Sequence, residues 1–526
     1  MKRILILLAV LAARSPGQIV PDSLLRTILD EISADNVLEH SRQLAARHRL
    51  PSSRGFLDAA RYVQQKAAGS GLKNVRLEKF ETIGEEWDPL EGELDVLEPE
   101  PVRIASIPDT PLAAMTRSRE GDVTGVLIDA GAGHDPEDYR DLDLNGKIVL
   151  TRSVPPANVW REAEKRGAVA LLCAESRQFF GRAVPRDAIS WLRAPEGAFA
   201  MAVSPMNADR LARWLRDGKK VRLHMRLKTA VSRPAFLGQV MGEVPGELKG
   251  RDVVLVAHLD HPKPGANDNA SGSAVLLECA RVLHALMESG RVPRPKRGIR
   301  IWWTKEIVSP TRYFERYPEQ KKEILLAVNV DQAGGDRMAE NNFVVIYGPD
   351  WLPSWADDLV HDLVEDVAAR YAPAEKAPSR LLIAPGGSLQ SFRAVYWPYA
   401  PLSDHVAFES RTVGIPAISM AVPSLNVVHS DRDTVDRLDP TWLKRTTLIA
   451  LASALFAANA GPEDAAALLE AVFVRAVARI AAAEDRQGQL KIEQQRLESV
   501  KALSNDVQAE PYMKRLRAVV AALESR

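Results

Sequence analysis

The chain has 526 residues, enough for more than one domain and a sizeable core. Lys plus Arg and Asp plus Glu each number 69, so the formal net charge is zero, which argues against a dedicated basic nucleic-acid binder. A hydrophobic content of 46% with 26% charged residues excludes a disordered or collagen-like chain. Two cysteines, Cys173 and Cys279, cannot build a disulfide framework or a thiolate metal cluster, so any metal must be held by histidine and carboxylate.

At the N-terminus, Lys2 and Arg3 precede an apolar run from Ile4 to Ala13. That run is shorter than the roughly 20 residues a bilayer span needs. A basic start, a short apolar stretch and small residues at Ala12 and Ala13 predict a secretory signal over 1–13 and a secreted or periplasmic protein. No later stretch is expected to span a membrane, and in an oxidising compartment the two cysteines are free to pair if they lie close enough.

Asp22 to Leu72 reads as helices, closed by the turn signal Gly69-Ser70-Gly71. Val75 to Phe80 alternates as a strand. From about Leu90 short β-like runs alternate with Pro, Gly and Asp turns: Val123 to Asp129, Lys147 to Leu150 and Val221 to Leu227. A helix is expected over Ala157 to Arg166, ahead of a strand at Ala168 to Cys173. From Pro234 the pattern becomes α/β, with buried-strand runs at Val253 to Ala257, Ile299 to Trp303, Ile324 to Val330 and Phe343 to Tyr347 and a long helix from Asn269 to near Met287. Strands separated by helices predict a mainly parallel sheet flanked by helices. Arg291 to Arg297 reads as a solvated basic loop, and 461–526 as two or three packing helices.

Polar residues stand where these apolar strands end. Val253 to Ala257 runs into His258-Leu259-Asp260-His261, and in an extended chain positions two apart face one side, so His258 and Asp260 are able to serve one site. Gly265-Ala266-Asn267-Asp268-Asn269-Ala270-Ser271-Gly272 opens the long helix. Asp268 taken singly reads as a helix cap. Ile301-Trp302-Trp303-Thr304-Lys305-Glu306 and Leu326-Ala327-Val328-Asn329-Val330-Asp331 are strands running into carboxylates, and Val427-Val428-His429-Ser430-Asp431-Arg432-Asp433 adds a second histidine. Open α/β sheets bind ligands at the carboxyl ends of their strands. Two histidines with three carboxylates and no cysteine suit zinc in a hydrolytic role. His258, Asp268, Glu306, Asp331 and His429 are too many for one ion, and a carboxylate bridging two ions about 3.5–4 Å apart accounts for the number.

Taken together, these segments, with Ser403-Asp404-His405, Phe408 and Gly414-Ile415-Pro416-Ala417, resemble the M28 zinc peptidases over about 35–90 and 236–455. The middle, with Asp141-Leu142-Asp143-Leu144-Asn145-Gly146-Lys147-Ile148-Val149-Leu150 and Gly167-Ala168-Val169-Ala170-Leu171-Leu172, resembles a protease-associated domain. The resemblance implies a peptidase domain split into 20–90 and 236–460, a β-rich protease-associated insertion at 91–235 and a C-terminal helical extension at 461–526. It also implies one or two zinc ions per chain. His258, Asp268 and Asp331 would hold the first ion, Asp268 would bridge to a second completed by His429 and a glutamate, and Asp260 would orient His258. An activated water would attack a peptide or small-protein substrate, most plainly in an aminopeptidase, with a glutamate moving the proton.

Two departures stand out. Where the family has two adjacent glutamates, here Lys305-Glu306-Ile307 has one: either Glu306 is a zinc ligand with Lys305 in the place of the base, or Glu306 is the base and Ile307 leaves the second ion a ligand short. Val428 stands where some relatives have a tyrosine that stabilises the oxyanion. A catalytically degenerate binding protein and a one-zinc acyltransferase similar to glutaminyl cyclases are the alternatives on the same fold.

Overall fold

The computed structural model describes residues 19–524 apart from 83–85, 108, 132, 134, 154, 176–177, 180–181, 233–234 and 372–379. The signal expected at 1–13 lies outside the described residues. Two sheets organise the chain. The larger has eight strands in the spatial order Lys73–Thr82, Ala235–Val244, Ile299–Thr304, Asp252–His258, Ile324–Asp331, Ala417–Ala421, Phe343–Ile346 and Ala394–Trp397. Its centre, from Ile299–Thr304 to Ala417–Ala421, is parallel; antiparallel pairs join Ala235–Val244 and Phe343–Ile346 to it and Lys73–Thr82 to Ala235–Val244, and the edge strand Ala394–Trp397 pairs parallel with Phe343–Ile346.

The apolar runs are unbroken because these strands are covered on both faces. Val253, Leu255 and Ala257 pack into the main core with the helices Gly272–Glu288 and Pro440–Asn459, while Val254 and Val256 face a smaller cluster with Trp302, Phe314 and Phe408. Gly272–Glu288 is buried on nearly all sides. Together with the preceding turn it is long and apolar enough by composition to cross a membrane, against the sequence expectation of no such stretch. Its apolarity is spent on the core, with 78% of the window buried.

The second sheet has seven strands in the order Val102–Ile107, Glu86–Glu98, Arg222–Ser232, Gly121–Asp129, Ile148–Thr151, Ala170–Ala174 and Ala200–Val203. It encloses its own core around Leu127, Val149, Leu171 and Met201. Its strand Glu86–Glu98 starts ahead of the expected boundary at 91. Cys173 lies in this second core and Cys279 in the first, so both are free and buried.

The N-terminal part forms three helices, Asp22–Glu31, Ala34–Ala45 and Arg54–Gly69, which join the main core. The C-terminal part forms Pro462–Ala482, Arg486–Ser499 and Glu510–Glu524. The basic loop 291–297 is not wholly solvated: Arg297 is buried and donates to the carbonyls of Ala457, Ala460 and Leu503, tying the end of one helix to the extension. A second tie is ionic. Arg479 bonds Asp358 at 2.8 Å and Glu493 at 2.7 Å, and both carboxylates are fully buried. Removing Arg479 takes the shortest ion pair from each buried carboxylate and leaves Asp358 with Arg475 and Arg496 at 3.9 Å and Glu493 with Arg496 at 3.6 Å, a loss toward the lower end of the about 3–5 kcal/mol for a broken buried pair. Arg479→Leu is therefore expected to lower the urea midpoint by that order, whereas Arg61→Leu, at an exposed pair, is expected to leave it within about 0.5 kcal/mol.

Candidate metal centre

The parallel register delivers the first donors. Val256 pairs with Asn329, so His258 and Asp331, each two residues further on, emerge side by side at the carboxyl ends of adjacent strands. His258 Nε2 lies 3.5 Å from Asp331 Oδ1. On the other flank His258 pairs with Thr304, and Lys305-Glu306 follow directly. Donor atoms of His258, Glu306 and Asp331 all lie within 4.8 Å of one another.

Asp268 is not a helix cap. It sits in an extended conformation (φ −105°, ψ 100°) inside a wide turn, Ala266–Ser271, and the capping is done by Asn269, whose Oδ1 accepts from Gly272 N–H at 2.9 Å. The asparagines staple this turn to the strand that ends in Asp331: Asn269 Nδ2 donates to the Val330 carbonyl, and Asn267 Oδ1 accepts from Gly334 N–H. Asp433 holds it from the opposite side, accepting the N–H groups of Asn267 at 2.8 Å and Asp268 at 3.0 Å. Burial pushes the Asp433 carboxyl up to about 7, against the pull of those two N–H groups.

So positioned, the Asp268 carboxylate faces two ways. Oδ1 lies 3.3 Å from His258 Nε2, and Oδ2 lies 3.1 Å from His429 Nε2 and 3.8 Å from His261 Nε2. The sequence assigns His261 no role, since one residue past Asp260 it falls on the opposite face of an extended chain. The chain is not extended there: Lys263-Pro264 follows, and Gly265, at φ +49°, turns it back. His429 likewise does not end a strand. It occupies a turn at φ +58°, and the second sheet's unit holds it there, since Trp191 N–H donates to the His429 carbonyl at 2.7 Å. The Trp191 indole stands edge-on to both His261 and His429, with ring centres 5.2 and 5.6 Å away.

Asp260 orients His258 through its main chain: His258 Nδ1 contacts the Asp260 carbonyl at 2.9 Å, and the carboxylate is 3.7 Å from that nitrogen. The carboxylate is taken up by Glu306 N–H at 2.8 Å and the Lys305 ammonium at 3.2 Å. Lys305 therefore acts as a counter-ion. Burial disfavours its charge, but Asp260 and Glu306 outweigh that and keep its pKa above the ordinary value, so it does not serve as a base. Asp404 shapes the turn behind it, accepting Thr304 Oγ1 and Ile307 N–H, each at 2.6 Å. This leaves Asp404-His405 as scaffold.

Arg49 clamps the loop that carries Asp260 and His261. It is fully buried and donates to the carbonyls of Leu44, Leu259 and Gly265, and its backbone pairs with His261 in both directions. Four carboxylates with two strand-end and turn histidines demand positive charge. Burial, followed by the nearby carboxylates Asp331, Asp268 and Asp260, pushes Glu306 up to about 8, with His258 opposing. Asp331 Oδ1 and His261 Nε2 are buried and make no hydrogen bond. Ligand atoms on one tetrahedral zinc lie about 3.4 Å apart, given bonds of roughly 2.0–2.2 Å. The 3.1–3.8 Å separations around Asp268 match that spacing, so the donor set fits a divalent cation.

Comparisons with known proteins bear on the family and the fold. Residues 239–454 match the family model described as Peptidase family M28. A stretch of 117 residues is 36% identical to Aminopeptidase NAALADL1 of Mus musculus, spanning 21% of this chain and only 15% of that protein's length. BSAP, a zinc aminopeptidase from Bacillus subtilis, shares the fold at a TM-score of 0.54 and 18% identity, over 81% of this chain and 96% of its own. A peptidase M28 precursor from Shewanella amazonensis SB2B gives 0.54 and 18% over 81% and 98%. A structure from Clostridium acetobutylicum gives 0.56 and 12% over 96% and 97%.

Removing Asp433 unpairs two buried N–H groups beside Asp268. Asp433→Ala is expected to weaken zinc binding by about 10–100-fold, as loss of an outer-sphere support does, measured by chelator competition on the folded variant.

Proposed function

We propose that this chain, whose residues 239–454 belong to peptidase family M28, is an exported zinc-dependent aminopeptidase. One observation carries the reading: His258, Asp268, Glu306, Asp331 and His429, spread over more than 170 residues of sequence, meet at the carboxyl edge of the parallel sheet. His258, Asp268, Asp331 and His429 would hold the metal. Bound zinc supplies a Lewis acid for the scissile carbonyl and lowers the pKa of water.

The chain's own residues supply the rest. Glu306, whose donor atom lies within 4.8 Å of those of His258 and Asp331, would accept a proton from the attacking water and return it to the leaving amine. Asp268 Oδ1 and Oδ2 face both donor groups, and Asp433 and Arg49 keep the supporting loops in place. Asp260 aligns His258 and neutralises Lys305. Trp191 packs edge-on against the His261 and His429 rings and fixes that side of the cluster. The name of the mouse relative supports the aminopeptidase specificity. We assign the second sheet as a protease-associated unit that walls the site, and the basic-apolar start of the chain supports export.

Chelator treatment is expected to abolish hydrolysis of leucine anilide, with recovery on adding zinc. An N-acetylated leucine anilide is expected to resist cleavage, and its hydrolysis at an equal rate rules out the aminopeptidase assignment. Glu306→Gln is expected to lower kcat by about 10²–10⁴-fold with an unchanged circular dichroism spectrum. An unaltered rate removes Glu306 from proton transfer.

A further inference from the structure

The strand-end turn after Ile299–Thr304 offers one carboxylate, Glu306, because the neighbouring position holds Lys305. Glu306 clusters with His258 and Asp331. The donor atoms that cluster with His429 are instead those of Asp268 and His261. The two groups share the Asp268 carboxylate, one oxygen facing each.

His261 has the geometry of a ligand. Its Nδ1 lies 2.9 Å from the Pro262 carbonyl, a contact made by Nδ1–H donating, so Nε2 carries the free lone pair. That Nε2 is buried, makes no hydrogen bond and lies 3.8 Å from Asp268 Oδ2. A buried ring nitrogen without a partner is costly unless something else occupies its lone pair. His258 repeats the arrangement on the other side of Asp268: Nδ1 on a backbone carbonyl at 2.9 Å and Nε2 toward the carboxylate. The His261 and His429 rings are tilted at 33° with centres 5.6 Å apart, and donor atoms of His261, Asp268 and His429 all lie within 4.8 Å of one another.

We propose that His261 is the third protein ligand of a second zinc position, with Asp268 and His429, and that Glu306 is therefore not needed as a ligand of that ion. The proposal rests on the metallopeptidase reading above. It resolves the one-glutamate turn: the missing anionic donor is replaced by a neutral imidazole from a different loop, held in place by Arg49 and roofed by Trp191.

Zinc stoichiometry and affinity of the full chain test it, read by elemental analysis and chelator competition, without reference to turnover. Wild type is expected to bind two zinc ions, and His261→Ala one, with the second weakened at least 100-fold. His261→Glu, which restores an anionic donor of similar reach, is expected to recover the second ion. It also keeps the test informative should the alanine variant fold poorly. Two ions of unchanged affinity in His261→Ala overturn the proposal and leave the metallopeptidase reading intact. One ion in wild type does the same. No zinc in wild type overturns both.

Discussion

A buried carboxylate facing three imidazoles is the constraint on which the site depends. Asp268 is almost fully enclosed, and an ionised carboxylate taken out of water requires compensation from every side. Burial opposes its ionisation, and His261, His258 and His429 overcome that and hold its pKa well below the ordinary range. The wide turn around it, the paired asparagines and the buried Asp433 all serve to place that one group where two strand ends and two loops can reach it.

Lys305 changes the electrostatics of the cluster. A cation beside Glu306 and Asp260 partly neutralises a site otherwise crowded with carboxylates, and its salt bridge to Asp260 keeps it away from the reacting face. A neutral donor at His261 fits the same economy of charge. On the proposed assignment a structural lysine and an imidazole would do together what a second acid would do singly, and Glu306 would stay available for proton transfer.

The second sheet and the helical extension contribute through support. The segment Asp187 to Trp191 pairs with the turn carrying His429: Asp431 N–H donates to the Ile189 carbonyl, Ile189 N–H donates to Asp431 Oδ1, and Arg432 meets Asp187 at 2.8 Å. His429 therefore takes its position from a unit that has its own core. The extension acts at the opposite end, where Arg297, Arg479 and Arg496 tie it to the main core.

By itself the sequence determined the α/β architecture, the strands Asp252–His258, Ile299–Thr304 and Ile324–Asp331, and the polar residues at their ends. Unbroken apolar runs that stop at a His or an acid are local signals, and parallel pairing follows from the helices between them. The tertiary structure decided the rest. Asp268 taken singly has the pattern of a cap, and only a wide turn held by contacts more than 60 residues away turns it toward the histidines. His261 has no role legible in the sequence, because it reaches the site only where Gly265 and Arg49 fold the loop back. The two alignments of Lys305-Glu306 are equivalent as sequence, and only the fold shows that the Lys305 ammonium pairs with Asp260 while Glu306 lies beside His258 and Asp331. Which side chains share an ion depends on loop closure between distant segments, and no periodicity along the chain encodes that.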